Sequence, residues 1–403
     1  MLNNMKQQKN EMVSGEIQLI MDKFNIVGCQ AAVVIKDKLI WSDAYGFRNL
    51  ETRDLVTENT MFRIASISKL FTATAIMQLV ESKIIDLDQD ISHYLGFKIR
   101  NPKFPKSHIT LRQILTHTSS LNSDDASNSV YAKFIRDGHS NFSLQLSELF
   151  DENGKYFTKE IWGDWKPGDH WMYSNIGAII CGAIIEKVTN LRFDEYINQN
   201  IFEPLEMKNV AFSYSNINKS HELANLYEKN KDTNEYKVTI EDVRQSGYSE
   251  THWDQYIIGN HGGLFEPQGG LRTTAVELSK FLRAHMLNGS LNGHQILEQK
   301  TSKLMKSIQW SREENNHFFS KMALGFHISH DFLPGYKEMI GHAGEAYGLI
   351  SNLYWHEEKQ FGMIFILNGS QFDLLKNSRF EVEKELADVI FKHVLGEPVL
   401  KLI

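Results

Sequence analysis

Hydrophobic and polar positions follow two periods along this chain. Glu16–Phe24 (EIQLIMDKF) spaces its apolar residues three and four apart, which predicts an amphipathic helix. Gln30–Lys36 and Lys38–Tyr45 read as two strands with a turn near Asp37. Ala65–Lys83 (ASISKLFTATAIMQLVESK) is small or apolar nearly all round, the pattern of a helix buried between layers. From about 90 to 290 the pattern is mixed and loop-rich, with helices near 110–117, 174–188, 192–200 and 275–287. Residues 215–260 are polar and carry no clear period. After 320 the period shortens to that of strands: Ala323–Ser329, Met339–Gly344, Gly348–Trp355 and Gly362–Leu367, joined by tight turns. Phe380–Val394 closes the chain as an amphipathic helix. Strands at both ends with a helical middle predict an α/β (α+β) fold in which both chain ends build one antiparallel sheet flanked by helices. On this reading 1–90 and 290–403 form the sheet domain and 91–289 a mainly helical inserted lobe. The groove between them is the natural place for a site.

The 403 residues are 42% hydrophobic and 23% charged, enough for a large core or two packed lobes. Net charge is −7 and no long Lys/Arg run occurs, which argues against a nucleic-acid partner. The longest strongly apolar stretch, Ile176–Ile185, is about half the roughly 20 residues a membrane span needs, so it predicts a buried helix and no transmembrane segment. The polar start, MLNNMKQQKNEM, has no apolar signal region, which leads to the expectation of a cytoplasmic chain, or an extracytoplasmic one if a leader has been removed. Cys29 and Cys181 lie far apart and suggest free thiols, not a disulfide framework.

Chemistry concentrates in three short motifs. Ser66-Ile67-Ser68-Lys69 opens the apolar helix, and a spacing of three puts Lys69 on the same face as Ser66. A serine hydroxyl needs a base beside it, and apolar surroundings favour the free amine of a lysine. The helix N-terminus adds free N–H groups for a developing oxyanion. A lone SxxK is more often a capping serine and a surface lysine, but this lysine sits in an otherwise apolar helix. Tyr173-Ser174-Asn175 stands at the mouth of the next apolar helix, where a tyrosine can relay protons and an amide can hold a substrate carbonyl. Tyr196-Ile197-Asn198 and Tyr214-Ser215-Asn216 repeat its pattern. His342-Ala343-Gly344 lies within a strand, where the glycine allows close backbone approach and the histidine can donate a hydrogen bond or move a proton. Lys166-Pro167-Gly168 and His261-Gly262-Gly263 are its competitors. The sixteen histidines are scattered, and GxSxG, GxxxxGK[ST], GxGxxG and HExxH are all missing, so neither cofactor nor metal is expected.

In this order the three motifs resemble those of the serine β-lactamase and penicillin-binding-protein superfamily. The likeness is greatest to its class C-like branch of DD-peptidases, D-aminopeptidases, esterases and acyltransferases. It extends to FRIASISK at 62–69, ITLRQILTHTSSL at 109–121, WKPGDHWMYSN at 165–175, NIFEPLEMKNV at 200–210 and GGLRTTAVELSKF at 269–281. It selects Tyr173 over Tyr196 and Tyr214. The resemblance implies Ser66 as acylated nucleophile, Lys69 as its base partner and Tyr173 as second base or proton shuttle. Asn175 would hold the substrate amide or ester, and the N–H groups of Ser66 and Glu345, the residue after Gly344, would form the oxyanion hole. His342 takes the place of the lysine in the usual Lys-Thr-Gly motif, which argues against an efficient β-lactamase or strict DD-carboxypeptidase. Ser120 and Glu206 stand where the family has glycines, and Glu206 there requires solvent. The expected function is a serine hydrolase acting through a Ser66 acyl-enzyme on an ester, amide or small peptide. The alternatives are acyl transfer to a non-water acceptor and a non-catalytic penicillin-binding-like protein. No pattern encodes the oligomeric state.

Overall fold

The computed structural model describes residues 2–122, 129–217, 222–230, 232–233, 235–240, 255–311, 318–370, 375 and 379–396. Its centre is a nine-stranded sheet, antiparallel at every pairing. The strands are β1 (Gly28–Ile35), β2 (Lys38–Asn49), β3 (Asp54–Leu55), β4 (Trp310–Ser311), β5 (Lys321–Met322), β6 (His327–Ser329), β7 (Met339–Ala346), β8 (Leu349–His356) and β9 (Phe361–Leu367). Their order, β4-β5-β6-β7-β8-β9-β1-β2-β3, joins the two ends of the chain where β9 pairs with β1, Cys29 opposite Leu367.

Both faces of the sheet are covered, which explains why the central strands are buried along nearly their whole length. Ala32, Val34, Leu353, Trp355, Ile364 and Ile366 point into one core with the helices α2 (Ser68–Glu81), α3 (Asn175–Thr189) and α4 (Ala275–Met286). Ala31, Val33, Tyr354, Met363 and Phe365 point the other way, against α1 (Leu2–Lys23) and α5 (Glu381–Ile390). Helix α2 is buried without a break from Ser68 to Met77, and Phe71 stacks on Phe281 of α4 at 3.9 Å.

The structure corrects several boundaries. Helix α1 starts well before Glu16, because its polar first half has no apolar stripe to reveal it. The predicted helix from Ala65 begins instead as a 3-10 turn, Ala65–Ile67, with the α-helix starting at Ser68. The predicted strand Ala323–Ser329 is a hairpin of β5 and β6, turned at Gly325 with φ +88. The 192–200 helix is Phe193–Ile197 running into a wider turn at Asn198–Phe202. Within the unreadable 215–260 stretch, Leu226–Lys229 pairs with Tyr236–Ile240, and 241–254 lies outside the described residues. Ser120 and Glu206 adopt φ 62 and φ 53, left-handed values that glycine meets without strain. Glu206 is exposed, as its charge requires. Cys29 and Cys181 are free and buried. No helix among the described residues is long and apolar enough to cross a membrane.

Helix α1 has a sharply defined buried face: Ile17 is 0% and Leu19 69% exposed. Ile17→Ala is expected to cost about 2–4 kcal/mol and Leu19→Ala less than about 0.5 kcal/mol. Urea denaturation of the two variants checks this, and equal losses would put α1 in another register against the sheet.

Candidate functional site

Ser66 lies in the 3-10 turn between Ile64 and α2. The residue before it, Ala65, is forced to φ 44. A non-glycine residue holds such a value only where its neighbours over-determine it. Here the Ile64 N–H donates to Leu271 O (3.0 Å), and the Ser351 hydroxyl donates to Ile64 O (2.8 Å). The Ser68 hydroxyl donates to Ala65 O (2.6 Å) and accepts the Leu271 N–H (3.1 Å). Phe62–Arg63 also pairs with Arg272–Thr273.

Lys69 reaches back along the helix, as the spacing of three requires. Its Nζ donates to Ser66 Oγ at 3.0 Å and to the carbonyl of Gln268 at 2.6 Å, and lies 4.9 Å from the centre of the Tyr173 ring. The side chain is nearly buried, at 6% exposure. The loop carrying Gln268 is pinned to the nucleophile turn by Arg63, which donates to Gly269 O and to Glu266, both at 2.9 Å, and by Thr72, which donates to Pro267 O at 2.9 Å. Burial opposes ionisation of Glu266, yet the Arg63 charge, helped by His139 and Arg272, brings its carboxyl down to about 2.

Tyr173 precedes α3, and Asn175 is the first residue of that helix. His117 braces this approach. Its carbonyl accepts the Met172 N–H (2.8 Å), its Nδ1 accepts the Ser174 N–H (3.2 Å), and its ring lies 4.4 Å from that of Tyr173. His342 and Gly344 come from β7. His342 is buried, and its Nδ1–H donates to Ala343 O at 2.5 Å, which leaves Nε2 with the lone pair. Burial, then the Lys69 charge, lowers the His342 imidazole to about 3. It is therefore neutral at ordinary pH. A Cβ at Gly344 would sit 2.4 Å from Ser351 Oγ, 2.5 Å from Ile64 O and 3.1 Å from Ser66 N. No other residue fits there, and this approach brings the β7 backbone beside the Ser66 N–H.

A cavity of about 270 Å³ opens over these groups, and Ser66, Tyr173, Asn175, His342, Gly344 and Glu345 all line it. Its remaining wall is aromatic and acidic: Trp171, Phe318, Phe319, Phe380 and Glu383, with His327 beside His342. All the residues singled out in the sequence are thus brought together, Lys69 through its contact with Ser66. The competing motifs are not: Tyr196 packs in the core, Tyr214 stacks under Arg272 and His261 stacks on Phe134.

The sequence reading missed Gln268, whose carbonyl gives no side-chain signal, and Glu383, which lies in the closing helix. It also missed His117 and His327, although His117 stands in the ITLRQILTHTSSL segment. One ring nitrogen from each of His117, His327 and His342 lies within 4.8 Å of the others, a grouping that could hold a metal ion.

A family model described as Beta-lactamase matches residues 13–387. This chain belongs to the beta-lactamase family. Among relatives of this family member, Protein flp of Staphylococcus aureus (strain N315) is 28% identical over 223 residues, 55% of this chain and 41% of that protein. Penicillin-binding protein 4* of Bacillus subtilis (strain 168) is 27% identical over 203 residues, 50% of this chain and 42% of that protein. The matched stretch of this chain thus spans about two-fifths of the length of these relatives. Among solved structures, the octameric penicillin-binding protein homologue from Pyrococcus abyssi is 25% identical with TM-score 0.69, over 89% of this chain and 73% of that one. The D-amino acid amidase from Ochrobactrum anthropi SV3, complexed with L-phenylalanine amide, is 20% identical with TM-score 0.69, over 95% and 97% of the two chains, a likeness of fold. Membership of this family supports serine hydrolase-like activity in general.

Two outcomes follow from the geometry. Gly344→Ala is expected to lower kcat/KM on an ester substrate by about 100-fold or more, because the added methyl pushes β7 off the Ser66 N–H. Unchanged kcat/KM would remove Gly344 from the site. For Glu266, a depressed carboxyl stabilises the fold above its unfolded value near 4.5, and that contribution is lost as pH falls toward about 2. The melting-temperature gap between wild type and Glu266→Gln should therefore be full at neutral pH and shrink through that window. A gap independent of pH would contradict the role given to the Arg63–Glu266 pair.

Proposed function

We propose that this protein is a serine hydrolase that acts through an acyl-enzyme on Ser66, taking a neutral or cationic ester, amide or small peptide. The observation that carries this is the 3.0 Å contact between Lys69 Nζ and Ser66 Oγ at the floor of the cavity. Lys69, as the free amine, accepts the hydroxyl proton while Oγ bonds to the substrate carbonyl carbon. The oxyanion is held by the backbone N–H groups of Ser66 and Glu345. Tyr173 passes a proton to the leaving alcohol or amine, then takes one from the attacking water, and Lys69 returns its proton to Ser66 Oγ as the acid is released. Asn175 positions the substrate carbonyl and His342 its far side. The groove in this reading lies between a sheet domain, 1–90 with 290–403, and an inserted lobe, 91–289.

The charge of the cavity supports the substrate class. Among the described residues lining it, none is Lys or Arg, and His342 is neutral where the related motif has a lysine. Glu345 and Glu383 face it together with five aromatic side chains, although burial raises the Glu383 carboxyl above its ordinary value. A substrate carboxylate would meet no lysine or arginine on the cavity wall, whereas an apolar acyl group, with or without an ammonium, suits its aromatic lining.

A fluorophosphonate probe is expected to add its mass to Ser66, and Ser66→Ala to abolish both labelling and p-nitrophenyl ester hydrolysis. Lys69→Ala should reduce kcat by about 1,000-fold or more. Amino-acid esters or anilides with a free amine should exceed their N-succinylated counterparts in kcat/KM. Full activity in Ser66→Ala sinks the mechanism, and a preference for the succinylated series sinks the substrate class.

A further inference from the structure

Three imidazoles converge at the back of the cavity from separate parts of the chain. His117 follows the short helix Leu111–Leu115, His327 opens β6 and His342 lies on β7. All three are buried, and each places one ring nitrogen within 4.8 Å of the others. His327 has no hydrogen-bond partner at either ring nitrogen, and His342 has none at Nε2. Buried polar groups are ordinarily given a hydrogen-bond partner. Burial lowers all three imidazoles, and His327 and His342 each keep an unpartnered ring nitrogen, so these two offer a neutral lone pair.

We propose that His327, His342 and His117 form a binding site for a divalent cation of the zinc, copper and nickel class, and that metal binding and acyl transfer exclude each other because both use His342. The exclusion rests on the hydrolase reading; the binding does not. Neutral imidazoles are the donor set these ions select. The His327 and His342 rings stack at 3.9 Å and 29°. Coordination with bonds of about 2.1 Å requires the rings to splay, a rotation about a soft torsion into the adjoining cavity. His327 can turn without losing a hydrogen bond. His342 keeps its Nδ1–H on Ala343 O and offers Nε2, a partner on the far nitrogen being the usual support of a metal-bound histidine. His117 is the weakest ligand: its Nδ1 accepts the Ser174 N–H at 3.2 Å, which puts the proton of the neutral ring on Nε2, so it must give up that bond or lose the Nε2 proton to coordinate. The cavity supplies water for a fourth position. A protonated Lys69 would oppose the cation, so affinity should fall short of that of structural zinc.

The test is zinc titration of chelator-stripped full-length protein by calorimetry, with copper followed by electron paramagnetic resonance. One ion per chain is expected, with a nitrogen-coupled copper spectrum. His327→Ala should weaken binding by about tenfold or more, while His294→Ala, an exposed histidine, changes nothing. His327→Gln serves if the alanine variant does not fold. Ser66→Ala should bind zinc like wild type, so the metal site is read separately from hydrolase activity. In active protein, zinc should suppress ester hydrolysis with the midpoint of its binding curve. Absence of one-to-one binding up to about 1 mM zinc, or equal binding by the His327 variants, overturns the proposal.

Discussion

The burial of one amine organises the site. Lys69 sits on a helix enclosed along its first three turns, and a buried amine must be given partners at a distance that water would otherwise fill. Ser66 supplies one from the preceding turn. The second, the Gln268 carbonyl, comes from 199 residues further along the chain. Nothing in the Gln268 side chain keeps that carbonyl in place. The loop is fixed by Arg63 reaching Glu266 and Gly269, by Thr72 reaching Pro267 and by Ser68 bonding Leu271. Stability and reactivity are therefore coupled here: the bonds that tolerate Ala65 at a left-handed φ also aim the amine at the hydroxyl.

The sheet adds the other half of the geometry. β7 and β8 pair so that Gly344 faces Ser351, and Ser351 in turn bonds Ile64 O, one residue before the strained turn. The missing side chain at 344 lets the strand backbone reach the Ser66 N–H. Slipping the β7 register by one residue would place Ala343 or Glu345 against Ile64 and open the site. The long antiparallel sheet, with apolar side chains locked into cores on both faces, is what prevents that slip.

Much of this was legible in the sequence, for identifiable reasons. Periodic apolar residues revealed α2, α3, α4 and the β7–β9 strands, because burial on one or both faces dictates those patterns. The Ser66–Lys69 spacing revealed their contact, because three residues are close to one helical turn in either helix type. The 3-10 turn at Ala65 was not legible: a left-handed alanine is imposed by tertiary hydrogen bonds and leaves no local signature. Gly325 hid inside an apolar run and split it into a hairpin. His117 and His327 were invisible as a pair with His342, since their convergence depends on a β6–β7 pairing and a loop more than 200 residues earlier, at 117 against 327.

Position 342 shows how one residue changes several properties together. In the related motif a lysine there would present a permanent cation to a substrate carboxylate. A buried histidine beside Lys69 stays neutral, since two like charges in a low-dielectric pocket are mutually costly. No lysine or arginine then stands among the described residues lining the cavity, which supports the proposed preference for neutral or cationic acyl groups over anionic ones. The same neutrality leaves a lone pair on Nε2, next to an imidazole at His327 whose nitrogens have no other partner. A lysine at 342 would repel a metal cation from that place; a neutral histidine does not. The proposed substrate charge and the proposed metal site thus have a common origin, and a substitution of His342 that restores the cation should reverse both at once.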